Sequence, residues 1–212
     1  MRLSFPALAQ RSFAEDHIAE VVATSSTEFS AECLPPQDLH FPKVPSLGSW
    51  VKSPSAGAEL YTVIGVVCFA STTPIDTVHK AIALGLSLEE LRQQQPQVFA
   101  MFRSEIRVAM LGYQTGQQIY QHLPPQPPPI HQGVFLCSRQ EIIQFTEEVH
   151  FWRTLLQISG VPVDELVSAI LRQVYQVRQC DRNWLVQASK HLGVLLKEDY
   201  DRLRAILAQV HP

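Results

Sequence analysis

The chain has 212 residues, 46% of them hydrophobic, and a mean hydropathy of +0.01, so it can bury a sizeable core as one domain or two small ones. Seventeen Lys and Arg stand against 20 Asp and Glu, a net charge of -3, and only 17% of residues are charged, where an average globular chain carries about 25%. This balance excludes disorder of the whole chain and argues against a large positive field for holding nucleic acid. Twenty Gln fill part of the polar quota.

The first residues, Met1 to Ser12, carry Arg2 and Arg11 but no continuous apolar run, and Pro6 interrupts them, so they do not read as a signal peptide. The most apolar stretch, residues 63–70, is far shorter than the roughly 20 residues of a membrane-spanning helix. A cytoplasmic protein without a transmembrane segment is the expectation. Cys33, Cys68, Cys137 and Cys180 form no CxxC pair. They read as buried thiols in a reducing compartment, not as zinc ligands or a redox dithiol.

Residues 18–24 and 27–34, rich in Val, Thr, Phe and Ile, read as a hairpin around Ser25 and Ser26, stopped by Pro35 and Pro36. Residues 49–53 offer a short strand and residues 60–70 a long one, the expected centre of a sheet, with Gly65 marking a bulge or bend. A turn is expected at residues 71–74. Ser87 and Glu90 frame a capping box for a helix that must end near Gln95, before Pro96, and residues 96–102 can begin another short helix. Residues 104–113 alternate with period two, as a strand does. One more short strand fits residues 119–123, five prolines between 123 and 130 predict a polyproline II segment, and residues 133–137 can return as a closing strand.

From Ser138 the period changes to 3.6. Ser138 and Glu141 frame a second capping box, and Ile142, Phe145, Val149, Trp152, Leu155 and Leu156 line one helix ending near Gly160. Three further helices follow, lined by Leu166 to Tyr175, Trp184 to Leu195 and Tyr200 to Val210, a compact bundle of about four. The fold class is therefore α+β: a small β-barrel with inserted short helices over residues 1–137, then a helical domain over residues 138–212. Residues 1–136 hold 8 basic and 11 acidic side chains, and residues 137–212 hold 9 of each. A tail of this size is marginally stable alone, so a shared interface and a fixed mutual orientation are expected.

No catalytic, metal or cofactor site stands out. The eight His include no HExxH, and Glu147, Glu148 and His150 do not supply ligands on one helix face. Asp76 and His79, with Ser71 or Thr72, could form a hydrolytic constellation, but a hydrogen-bonded turn explains them as well. Gly112 to Gly116 lacks the Lys and hydroxyl of a phosphate loop. Arg172, Arg178, Arg182 and Lys190 read as solvated helix faces. Trp50, Tyr61 and Phe69, near Lys43 and Lys52, could line a nucleic-acid platform on a small barrel, or simply pack. More unusual is the segment containing Gln94, Gln95, Gln97, Phe99, Met101 and Phe102, where neutral amides precede an apolar cluster. It can cover one end of a barrel or present a partner surface. The prolines allow either a recognised segment or an inert strut.

The strands over residues 18–33, 48–73 and 105–113 resemble those of HAS-barrel proteins, small barrels found at the amino end of hexameric DNA-translocating ATPases and of rotary ATP synthase subunits. The segments TPIDTVHKA (73–81), LGLSLEELRQQQPQVFAM (84–101) and DYDRLRAIL (199–207) extend the likeness to a stand-alone cyanobacterial member of that group. In the larger proteins the barrel assembles subunits or docks partners, and the chemistry sits in an ATPase domain with no counterpart here. The resemblance therefore implies a non-enzymatic adaptor or assembly factor with a protein partner and no cofactor. A nucleic-acid-binding barrel and a hydrolase with an unrecognised site are the alternatives.

Overall fold

The computed structural model describes residues 16–35, 41, 43–55, 60–76 and 82–210. Strands β1 (His17–Thr24) and β2 (Glu28–Cys33) pair antiparallel as the expected hairpin. Ser25 closes it, its hydroxyl accepting from Glu28 N and donating to Glu28 O. Strands β3 (Trp50–Pro54), β4 (Thr62–Pro74), β5 (Phe102–Thr115) and β7 (Gly133–Leu136) complete the wall, and β6 (Gln118–Tyr120) is a short hairpin return on β5. The order β2-β1-β7-β3-β4-β5, with β2 also paired to β5, closes a six-stranded antiparallel barrel. Closure leaves no free sheet edge around the ring. Register shifts at Ile64/Gly65 and Val67/Phe69 supply the bends that a small barrel needs.

Inside the barrel, Ala19, Val21, Phe29, Ala31, Val51, Val63, Val67, Ile106, Val108 and Met110 form one apolar filling. The alternate residues of the same strands, Trp50, Ile64, Val66, Cys68, Ala109 and Leu111, point out of the barrel and are equally buried. Period-two reasoning leaves one face of each strand polar. Here the run Val63 to Cys68 is apolar on both faces because helices cover the outer one.

Those helices are α2 (Arg139–Phe145), α3 (Trp152–Leu155), α4 (Val163–Val177), α5 (Arg182–Leu195) and α6 (Tyr200–Ala208). Ser138 and Glu141 form the expected capping box, and Asp181 and Asp199 cap α5 and α6. Helix α4 lies centrally, with Leu166, Val167, Ile170, Leu171 and Val174 all buried. Trp50 is the junction: its ring meets Phe145 at 5.3 Å and Phe151 at 5.6 Å. Two glycines let backbone approach backbone there. Gly48 has φ +82, and a Cβ on it would lie 3.2 Å from Ala169 of α4. A Cβ on Gly112 would collide with the Tyr120 carbonyl and the Phe145 ring.

Three sequence expectations change. The single helix from Ser138 to Gly160 is two, broken after Phe145, because the Gln121 amide satisfies the open backbone: its Nε2 donates to Phe145 O at 2.5 Å and Glu148 O at 2.8 Å, and its Oε1 accepts from Phe151 N at 3.0 Å. The expected turn at residues 71–74 is strand, paired with β5 out to Pro74 opposite Phe102 and braced by Thr72 Oγ1 and Ser104 Oγ at 2.7 Å. The proline segment is a bent connection, not a free strut. Pro124 and Pro128 are buried, and the Tyr61 hydroxyl holds both the N–H and the carbonyl of Gln126.

Removing the Gln121 amide strands three backbone groups at the helix break. Gln121→Ala is expected to lower unfolding free energy by about 1–3 kcal/mol, read as a shifted urea midpoint at unchanged slope.

Candidate interaction surface

Beyond the last β2–β5 pair, Glu32 with Glu105, strands β4 and β5 continue as a two-stranded arm from Thr72 to Pro74 and from Phe102 to Ser104. The chain that joins them carries α1 (Leu88–Gln94) and a 3-10 helix (Pro96–Met101). Ser87 and Glu90 form the capping box expected there, and the two hydrogen bonds from Ser87 to the Glu90 carboxylate hold its pKa below the ordinary value. The 3-10 helix folds back so that Leu91 and Phe99 are both buried, the Phe99 ring 4.7 Å from Phe41.

The six residues singled out in this segment do not all face outward. Gln94, Gln97 and Met101 are exposed, Met101 at 45%. Gln95 is half-buried as the C-cap of α1, and Phe102 is half-buried against Phe41 at 5.6 Å. Phe99 is only 5% exposed, so its ring serves the interior of the arm and not its surface. Its place outside is taken by side chains that the sequence reading passed over. Ile75, Ile82, Leu84 and Leu88 are exposed, Ile82 at 77%.

The aromatic platform is not assembled. Trp50 is buried at the barrel–helix junction, Tyr61 packs on Tyr113 at 5.4 Å, and Phe69, half exposed, lies under the Arg107 guanidinium at 5.5 Å. Of the two nearby cations, Lys52 is taken by Glu141 at 2.6 Å. Arg172 and Arg178 also depart from the expected solvated faces. Arg172 donates to Gln209 O at 3.0 Å and Arg178 to Ile143 O at 2.6 Å, so both tie helices together. Arg182 and Lys190 are exposed as expected. His79 lies outside the described residues, and with it the proposed Asp76–His79 pair. Among the described residues no group of three His, Cys, Asp or Glu could hold a metal ion, and no described helix is long and apolar enough to cross a membrane.

The thiols divide. Cys33 and Cys68 are buried, and burial pushes Cys33 up to about 11. Burial likewise raises Cys137, which is half-buried, whereas Cys180 is exposed and departs from the expectation of buried thiols throughout. It lies two residues past the C-cap of α4 with φ 62, its N–H donating to Tyr175 O at 2.8 Å. No family model matches the chain, and no curated protein matches it.

One charged pair fixes barrel to helix. Lys52 on β3 reaches Glu141 in the first turn of α2, whose carboxylate also accepts from Ser138 N at 2.7 Å. Burial acts to raise the Glu141 pKa, but Lys52 and Ser138 outweigh it and hold the carboxyl below its ordinary value. A depressed folded pKa means stabilisation that is present above the unfolded value of about 4.3 and is lost as pH falls through the folded one. Glu141→Gln is expected to lower the urea midpoint at neutral pH. The gap to the wild type should narrow on acidification below about pH 4, where the wild-type carboxylate is protonated too.

Proposed function

We propose that the protein is a non-enzymatic interaction or assembly factor that docks a protein partner through the β4–β5 arm and acts as an adaptor on a larger complex. The observation that carries this reading is the run of exposed apolar side chains along the arm and the chain that joins its strands, Ile75 and Met101, whose backbones are hydrogen-bonded, and Ile82, Leu84 and Leu88, with Gln94 and Gln97 also exposed. A closed barrel with a firmly covered wall has no structural use for apolar groups at this site. Exposed apolar clusters of this kind mark contact sites. Neutral Gln amides add directional hydrogen bonds without the desolvation cost of a charge, which suits the rim of such a contact.

The resemblance to stand-alone HAS-barrel proteins belongs to this reading, as does residence in the cytoplasm. A closed six-stranded barrel with helices packed on its outer wall is compatible with an adaptor. The nucleic-acid alternative draws no support from the platform residues, since Trp50 is buried and Lys52 is paired.

Crosslinking and mass spectrometry on the full chain and on a Leu88→Asp, Met101→Asp variant test the reading. Both positions are exposed, so the variant should keep its far-UV spectrum. A partner crosslinked reproducibly to residues 82–101 of the wild type should fall about tenfold or more with the variant, as expected when apolar anchors at the centre of a contact are replaced by charge. Identical crosslinks for both proteins would contradict it.

A further inference from the structure

A second unpartnered surface lies on the helical side, away from the arm. Helices α5 and α6 enclose a groove whose walls are Leu185, Val186, Gly193, Leu203 and Leu207, with Lys190 at its edge. The depression exists because position 193 has no side chain; a Cβ there would touch Leu203 at 3.4 Å. Its charge is one-sided. Arg182 stands one helical turn before Val186, on the face of α5 that carries Lys190, while Arg204, about 100° round α6 from Leu203, lies on the flank of that helix; both arginines are exposed. Lys190, Arg182 and Arg204 have no ion pair or side-chain hydrogen bond among the described residues.

Two nearby acids are occupied, and Glu198, in the connection between α5 and α6, is exposed. Asp181 and Asp199 accept backbone N–H groups as the caps of α5 and α6. Asp201 precedes Leu203 by two positions, which at about 100° per residue places it away from the groove and one turn from Arg204, whose charge it offsets.

We propose that this groove seats an acidic amphipathic helix of a partner protein. Two antiparallel helices with an apolar trough between them match the helix-in-groove mode, in which residues at i, i+3, i+4 and i+7 enter the trough. Arg182 and Lys190 on the α5 rim select acidic flanks over basic ones. A second copy of this chain is the wrong occupant, because groove-to-groove pairing sets Lys190, Arg182 and Arg204 of each copy against the same cations. An anionic membrane would meet the charge, but a flat lipid surface fits a convex apolar face better than a trough. The inference rests on the interaction reading only in naming a protein partner, and not on the arm.

The test is fluorescence anisotropy with the full-length protein and a labelled designed helix of about 15 residues, with leucines at helical spacing and glutamates beside them. The expected result is saturable binding with Kd of order 10 μM, weakened by salt, and at least about tenfold weaker for the same peptide with lysines in place of the glutamates. Val186→Glu and Lys190→Glu, both at exposed positions, should each lose about tenfold or more while circular dichroism stays unchanged. Leu88→Asp should bind as the wild type does, so a failed arm and a failed groove give different results. No binding of the acidic peptide, equal binding of both peptides, indifference to Val186→Glu, or preferential sedimentation with phosphatidylserine vesicles would each overturn the proposal.

Discussion

The outer wall of the barrel is the floor of the helical bundle, and the rest of the structure depends on that one contact. Trp50, Ile64, Val66, Cys68, Ala109 and Leu111 leave the barrel on its outer side and enter the same apolar cluster as Phe145, Trp152, Ile170 and Leu171. The barrel has its own inner filling, but its outer wall and the helices share one core. Stripped of the helices, β3, β4 and β5 would expose a continuous apolar face; without the wall, five short helices would have one side of α4 uncovered. Burial at roughly 25 cal/mol per Å² makes this seam the largest single source of mutual stabilisation between them.

Smaller contacts then set the angle at which the parts meet. Gly48 and Gly112 permit the close approach, Lys52 and Glu141 tie β3 to α2, and Gln121 carries the chain across the break between α2 and α3. Each of these acts in a definite direction, whereas the apolar seam by itself would tolerate rotation. The consequence for function is geometric. The β4–β5 arm continues a wall of the barrel, and the α5–α6 groove lies on the helices packed against that barrel.

Much of this was legible in the sequence, for identifiable reasons. Both capping boxes, the hairpin around Ser25 and the change of period at Ser138 rest on local chemistry, and local chemistry was read correctly. The errors arose where tertiary contacts overrode it. Residues 71–74 look like a turn because of Pro74, yet pairing with β5 draws them into the strand. Ile142 to Leu156 keep helical spacing across a break whose open backbone is satisfied from a distance by Gln121, Arg178 and Trp184. Phe99 sits in an apolar cluster that could either cover the barrel or face a partner, and what buries it is Phe41, nearly sixty positions earlier. The exposed residues of the arm could not be separated from core leucines by pattern, since a single apolar side chain carries no mark of which way it will turn.

Native-state hydrogen exchange with mass spectrometry tests the shared core most directly. If barrel and helices stabilise each other through one seam, the slowest amides of β4, β5 and α4 exchange by a common global opening, with the same dependence on denaturant. Exchange of α4 through a lower-energy opening, while β4 and β5 stay protected, would show two independent folding units and contradict the account.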